Sequence, residues 1–387
     1  LHITTPPRLV EELRNQPIDS FISRLVEASA NSSLSKVIGL LKERGVYEVF
    51  LPERDRCAII STRDVLKAAS FETTKPSTLI SYVPVLRNGT LVGEVARLMA
   101  DYRIRAVPIS DGANIIGQAN SSTLLERLKG RIGGELRIAS IATKNPIHVD
   151  TETSTAKARE LMLRKRIDHL PVFQEGRLAG ILTSSHIVSR MVPPERLGSK
   201  SMKAETRSSL DFLVGDAMQP SPLTCAPDAT VEKALGSLLE SGQTCILVTQ
   251  WEELQGIVTP RDFMTLLALP DPETDIPVFM VGLPEDPFEA EAAKAKFKRT
   301  VNQLHRVFPD ILEARSVIKS KFTKPGKERG RYEVTVHIRT SKNTYTYSDG
   351  GWDLPVVYDL ITDRIKRLLT QKHVRRRSRE RERSETD

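Results

Sequence analysis

The chain has little cysteine, few aromatic residues and no long apolar run. Three cysteines in 387 residues (Cys57, Cys225, Cys245) lie far apart, which excludes a disulfide scaffold and any C-x-x-C redox or zinc pair; a reducing, cytoplasmic setting is expected. No stretch approaches the roughly 18 consecutive apolar residues of a membrane helix, and the N-terminal sequence LHITTPPRLVEELRNQP lacks a basic-then-apolar leader layout, so no membrane partner is expected. Aromatic residues make up 5% of the chain, and its seven histidines are dispersed. There is no H-E-x-x-H helix, no G-x-x-x-x-G-K-[ST] loop and no G-x-S-x-G elbow. The expectation is a protein that binds rather than catalyses, with no metal site and no required cofactor.

What is present is charge, unevenly placed. Residues 290–387 carry 24 Lys and Arg against 13 Asp and Glu, a net of +11, whereas everything before them nets −3. A polyanion partner for the C-terminal quarter follows from that asymmetry, nucleic acid being the commonest, and a solvated basic surface is the alternative. The remaining chain, with 39% hydrophobic residues overall, has another task.

That task is written in a repeat. Four stretches, YEVFLPERDRCAIISTRD (47–64), RAVPISDGANIIGQANSST (105–123), DHLPVFQEGRLAGILTSSH (168–186) and CILVTQWEELQGIVTPRD (245–262), read as strand, turn, strand and a polar step into a helix. Each follows an apolar-periodic helix; in the fourth, Val231, Ala234, Leu235 and Leu238 fall on one face. The unit is β–α–β–β–α. Spacings between Asp64, Thr123, His186 and Asp262 are 59, 63 and 76 residues, the longest containing the polar insertion 193–209.

HLPVFQEGRLAGILTSS (169–185) and QGIVTPRD (255–262) resemble the strand–Gly–strand–Thr–x–x–Asp pattern of the cystathionine-β-synthase (CBS) domain family. The resemblance covers all four repeats. It implies an α/β (α+β) chain with two tandem CBS-pair (Bateman) modules, residues 18–133 and 134–270, after an N-terminal segment 1–17. It also implies clefts for adenosine-containing ligands such as AMP, ADP or ATP as regulatory ligands, and pairing of two copies through the modules. The chemistry is direct: a carboxylate accepts hydrogen bonds from a ribose diol, while a hydroxyl and an Arg face phosphate. Repeat four has Thr259, Arg261 and Asp262, and repeat one has Ser61, Arg63 and Asp64 with Ala58 where Gly256 stands in repeat four. Thr123 and His186 replace the Asp in repeats two and three, so those sites are expected to be altered or empty. The competing reading of all these residues is ordinary helix capping.

After the Pro/Asp-rich break LALPDPETD (267–275), a strand 276–283, a helix opened by Asp286-Pro287, strands around ARSVIKSKF, RYEVTVHIRT and NTYTYS, and a closing helix from Asp353 give a small basic β–α–β–β–β–α domain over 276–372, followed by the tail 373–387. The order and the ending YEVTVHIRT…YTYSDGGWDLPVVYDLITDRIKRLL resemble the ribosome hibernation-promoting-factor family. This resemblance implies occupation of the messenger and transfer RNA path of the small ribosomal subunit, with the large subunit as a further partner. Residues expected to meet phosphate are Lys294, Lys298 and Arg299 on the helix, Arg315, Lys319 and Lys321 on a strand, Lys324, Lys327 and Arg329 in a hairpin loop, Lys366 and Arg367 on the closing helix, and Arg375, Arg376 and Arg377 in the tail. Tyr345 and Tyr347 share a strand face, for base stacking or for packing. The whole resembles archaeal CBS proteins with this C-terminal module. The functional expectation is a translation-silencing factor with nucleotide-sensing or docking CBS modules; the alternative is a nucleotide-sensing regulator of another RNA or of a partner enzyme.

Overall fold

A computed structural model describes residues 7–29, 31–53, 57–68, 73–191, 212–268, 276–284, 287–321, 331–341, 343–352 and 354–367. The insertion 193–209, the hairpin residues Lys324, Lys327 and Arg329 and the tail residues Arg375, Arg376 and Arg377 lie outside these. The chain divides into two units, Leu1–Leu269 and Pro270–Asp387.

In the first unit the four repeats appear in order. Their leading helices are Leu34–Glu43, Val92–Tyr102, Thr155–Lys165 and Val231–Ser241. Three open on a hydroxyl cap: Ser33, Ser154 and Thr230 accept the backbone N–H of Lys36, Lys157 and Lys233 at 3.3, 3.3 and 3.1 Å. All four helices are followed by a left-handed residue, Gly45, Arg103, Arg166 and Gly242, with φ of 60, 55, 53 and 65°. This conformation turns the chain sharply from helix into strand. In each repeat it therefore sets the residue two places on just before the first strand, one place before it for Tyr47, Arg105 and Asp168 and two for Thr244.

The strand pairs are Glu48–Pro52 with Cys57–Ser61, Ala106–Ser110 with Ile115–Asn120, His169–Gln174 with Arg177–Thr183, and Ile246–Gln250 with Glu253–Val258, all antiparallel. Each sheet is completed by chain from outside the strand–turn–strand stretch. Ile22–Ser23, before repeat one, pairs with repeat two, and Ser81–Val83, after repeat one, pairs back onto it. Thr143–Lys144 and Gln219–Pro220 do the same for repeats four and three. Repeats one and two, and three and four, are thus interlaced by strand exchange.

Helices join the two pairs. One apolar core contains Val37, Ile38 and Ile60 of repeat one together with Met162, Leu170 and Leu182 of repeat three, and helix Thr62–Val65 meets Ser184–Met191. Helix Pro260–Leu267 of repeat four lies against Val92–Tyr102 and Ser121–Leu128 of repeat two. The N-terminal segment is part of this unit: in helix Arg8–Arg14, the buried Arg14 donates to the carbonyls of Leu266 and Leu267 at 2.6 and 3.2 Å. Those carbonyls belong to the end of a helix whose last C=O groups lack intrahelical partners.

The second unit follows the β–α–β–β–β–α order. Val278–Val281 runs parallel to Ile311–Lys321, which pairs antiparallel with Arg331–Thr340, itself antiparallel to Thr344–Gly351. Helix Pro287–Val307 and the helix over 354–367 cover one face. Phe297, Val301 and Leu304 interlock there with Val334, Val336, Ile338, Val357, Tyr358 and Ile361. Tyr358 donates to or accepts from Ser316 Oγ at 2.7 Å, so the buried phenol is satisfied across helix and sheet.

Candidate ligand sites and a candidate nucleic-acid surface

Repeat four places its three singled-out residues together at the start of Pro260–Leu267. Asp262 Oδ2 accepts from Thr259 N at 2.7 Å and from Thr259 Oγ1 at 2.9 Å, closing a capping box. Asp262 Oδ1 has no hydrogen bond among the described residues. Burial raises the Asp262 carboxyl above its ordinary value, against the pull of the Thr259 hydrogen bonds and of Arg261. Arg261 reaches across to repeat two, donating Nε to the Ala100 carbonyl at 2.9 Å. The arrangement offers one open carboxylate oxygen beside a guanidinium: a diol donor and an anionic group fit it together.

Repeat one has the same box with different surroundings. Asp64 Oδ2 accepts from Ser61 N at 3.0 Å and Ser61 Oγ at 2.6 Å, while its Oδ1 is ion-paired with Lys67. Burial opposes ionisation of Asp64, but Lys67, the Ser61 hydrogen bond and Arg63 outweigh it and hold the carboxyl below its usual range. Arg63 points away from Asp64's box into repeat three, where Nη1 lies 2.5 Å from Asp168 Oδ2 and 3.4 Å from the Arg166 carbonyl. In repeats two and three the helices are capped by Asn120, whose Oδ1 accepts from Thr123 N at 2.9 Å, and by Thr183, whose Oγ1 accepts from His186 N at 3.2 Å while Thr183 N donates back to His186 Nδ1 at 3.3 Å. His186 is a capping histidine.

The turns after the four leading helices meet at a buried polar cluster that the sequence pattern does not announce. Tyr47 hydrogen-bonds Asp168, Arg105 lies over the Tyr47 ring at 4.2 Å, Glu48 accepts from Arg105 N at 2.6 Å, and His169 Nε2 is 2.8 Å from Thr244 Oγ1. Burial pushes Glu48 up to about 8 and His169 down to about 3. The signal available in sequence is positional: Tyr47, Arg105, Asp168 and Thr244 stand at one place in four aligned repeats, and none of them is apolar.

In the second unit the basic residues divide between two surfaces. Lys298 is exposed and Lys294 half-buried on Pro287–Val307, with Lys366 and the exposed Arg367 on the closing helix; Lys366 Nζ reaches Gln303 Oε1 at 3.4 Å, so the two helices are neighbours. Arg299 is buried and donates Nε to Ala295 O at 3.0 Å. Arg315 and Lys319 are exposed and alternate with the buried Ala314, Ser316 and Ile318, which places them on the sheet face opposite the helices. The single surface expected from sequence is therefore two, because residues 315 and 319 have the opposite strand parity to the core. Lys321 closes the same strand. Tyr345 and Tyr347 lie on the core side, packed against its edge.

Three segments, 77–130, 138–193 and 214–269, match the CBS domain family. Those three segments carry CBS domains. The three matches coincide with repeats two, three and four, and repeat one shows the same strand–strand–helix step. Among curated relatives, an uncharacterized protein of Methanocaldococcus jannaschii, MJ1404, is 23% identical over 340 residues, covering 86% of this chain and 80% of its own length. A 104-residue stretch is 32% identical to the inosine-5'-monophosphate dehydrogenase of Korarchaeum cryptofilum, covering 27% of this chain and 21% of that enzyme. Among solved structures, MJ1225 of M. jannaschii, described as a candidate archaeal homolog of g-AMPK, superposes with a TM-score of 0.58 at 15% identity, covering 65% of this chain and all of that one. That likeness shows the fold. Among the described residues no helix is long and apolar enough to cross a membrane, and no group of His, Cys, Asp and Glu is placed to hold a metal ion.

Proposed function

We propose that this CBS protein is a ligand-regulated, non-catalytic translation-silencing factor: an adenosine-containing anion binds at the Asp262 site, and the basic C-terminal unit binds ribosomal RNA of the small subunit. The observation that carries the ligand half is the open Oδ1 of Asp262 beside Arg261 in a CBS repeat. A ribose diol donates to that oxygen, and the phosphate takes the guanidinium. Calorimetric titration of the full chain with AMP, ADP and ATP tests it: binding is expected, and Asp262→Ala abolishes it. Undiminished binding in that variant contradicts the assignment.

The RNA half is supported by the net charge of +11 over 290–387 and by the β–α–β–β–β–α order. Phosphate contacts release counterions, so affinity falls steeply with salt. The helix side, with Lys294, Lys298, Lys366 and Arg367, is the proposed contact, and the sheet side, with Arg315 and Lys319, is the control. A cell-free translation extract should lose activity when the full chain is added.

A further inference from the structure

The two Asp-bearing sites are chemically alike in sequence and unlike in the folded chain. At repeat four one carboxylate oxygen is open and Arg261 is engaged with a neutral backbone carbonyl. At repeat one both Asp64 oxygens have protein donors, and Arg63 is engaged by a full negative charge from another repeat. Asp168 and Arg63 are each little exposed, with side-chain exposures of 14 and 11%. Asp168 takes a second hydrogen bond from Tyr47, which also accepts Arg105 over its ring. The carboxylate is thus held by two side chains of repeat one, Tyr47 and Arg63, with Arg105 of repeat two lying over the Tyr47 ring.

We propose that Asp168 is an internal counter-ion that closes the repeat-one site: it occupies Arg63 as the anionic group of a ligand would, so that the chain binds one nucleotide, at repeat four, until Asp168 is displaced. The proposal rests on the nucleotide reading above and deepens it. The repeats themselves show why only one site is closed. Arg103-Ile104-Arg105 and Arg166-Ile167-Asp168 occupy the same turn in repeats two and three, each beginning with a left-handed Arg. That position is therefore an Asp in repeat three, where it pairs with Arg63, and an Arg in repeat two, where Arg105 lies over Tyr47 of repeat one and brings no negative charge; the acidic residue of repeat two that acts on Arg261 is Asp101, outside that turn. A purely structural ion pair would hold repeats one and three together without affecting how many ligands bind. A closing counter-ion sets the stoichiometry.

Titration of the full chain with AMP and with ATP separates the two. Wild-type protein is expected to bind one nucleotide per chain, lost in Asp262→Ala and retained in Asp64→Ala. Asp168→Asn is expected to bind two, the new site at least tenfold tighter than any residual second binding in wild type and absent from the Asp168→Asn, Asp64→Ala double variant. Asp168→Thr, which copies Thr244 from the equivalent place in repeat four, guards against a folding failure of the Asn variant. Two equal sites in wild type, or folded Asp168 variants that still bind one, overturn the proposal while leaving the nucleotide reading intact. If neither nucleotide binds any variant, that reading fails, and inorganic triphosphate decides the rest. Tighter triphosphate binding to Asp168→Asn than to wild type sustains the counter-ion, and equal binding overturns it.

Discussion

Glu48, buried, and Asp262, half-buried, show what a single carboxyl does to stability. Glu48 is pushed up to about 8 by burial, above its unfolded value near 4.5, so the folded state favours its protonated form. Its contribution is therefore fully present below about pH 4.5 and is lost as pH rises toward 8. Glu48→Gln keeps an oxygen for the Arg105 N–H and cannot ionise; it should match wild type in thermal unfolding at pH 5 and exceed it increasingly up to pH 8, by a few kcal/mol at most. A constant difference across that range would show that Glu48 does not titrate there. Asp262→Ala should cost about 1 kcal/mol of stability through the lost cap, measurable by urea unfolding. The repeat motif made Asp64 and Asp262 legible in the sequence, as it did their capping role. It gave no sign of the Arg63–Asp168 pair, because a contact between residues 105 apart has no local periodicity to betray it.

Elements divide in the same way. The leading helices and hairpin strands are visible as apolar periodicity between turns, since each has its own 3.6- or 2-residue pattern. The exchanged strands are two or three residues long and have no pattern of their own. Their trace in the sequence is the small residue opposite them. A Cβ on Gly117, Gly180 or Gly256 would lie 2.4 Å from Ser23 O, 2.6 Å from Gln219 O or 3.0 Å from Thr143 O, so glycine admits the incoming strand in three repeats. Repeat one carries Ala58 opposite Tyr82 instead. Gly180→Ala must displace strand Gln219–Pro220 or the sheet beside it, and should cost about 1–3 kcal/mol in unfolding free energy; a change below 0.5 kcal/mol would contradict the close approach. In the second unit, Tyr358→Phe leaves the fully buried Ser316 hydroxyl without its phenol partner. A loss of about 1–3 kcal/mol is expected by the same measurement. Strand parity also explains why the basic residues were expected on one surface and occur on two: sequence clusters them by proximity along the chain, and the sheet sorts them by odd and even.

At the scale of the whole molecule the proposed function links the repeat-bearing unit Leu1–Leu269, of net charge +3, to the unit Pro270–Asp387, of net charge +5, whose basic excess of +11 is concentrated in residues 290–387. If the two are linked, nucleotide and ribosome must each change the other's affinity by the same factor, typically about 1–3 kcal/mol; equal ribosome affinity with and without saturating AMP or ATP would leave the CBS unit as a docking scaffold. The most direct test of the central claim is cosedimentation of the full chain with purified small ribosomal subunits across a salt series. The account predicts binding that weakens steeply with salt. Lys294→Ala, Lys298→Ala, Lys366→Ala and Arg367→Ala together should lower the log–log slope by up to about four units if each touches phosphate, while Arg315→Ala with Lys319→Ala leaves it unchanged. Absence of cosedimentation at low salt, or a slope indifferent to the four helix substitutions, would contradict it.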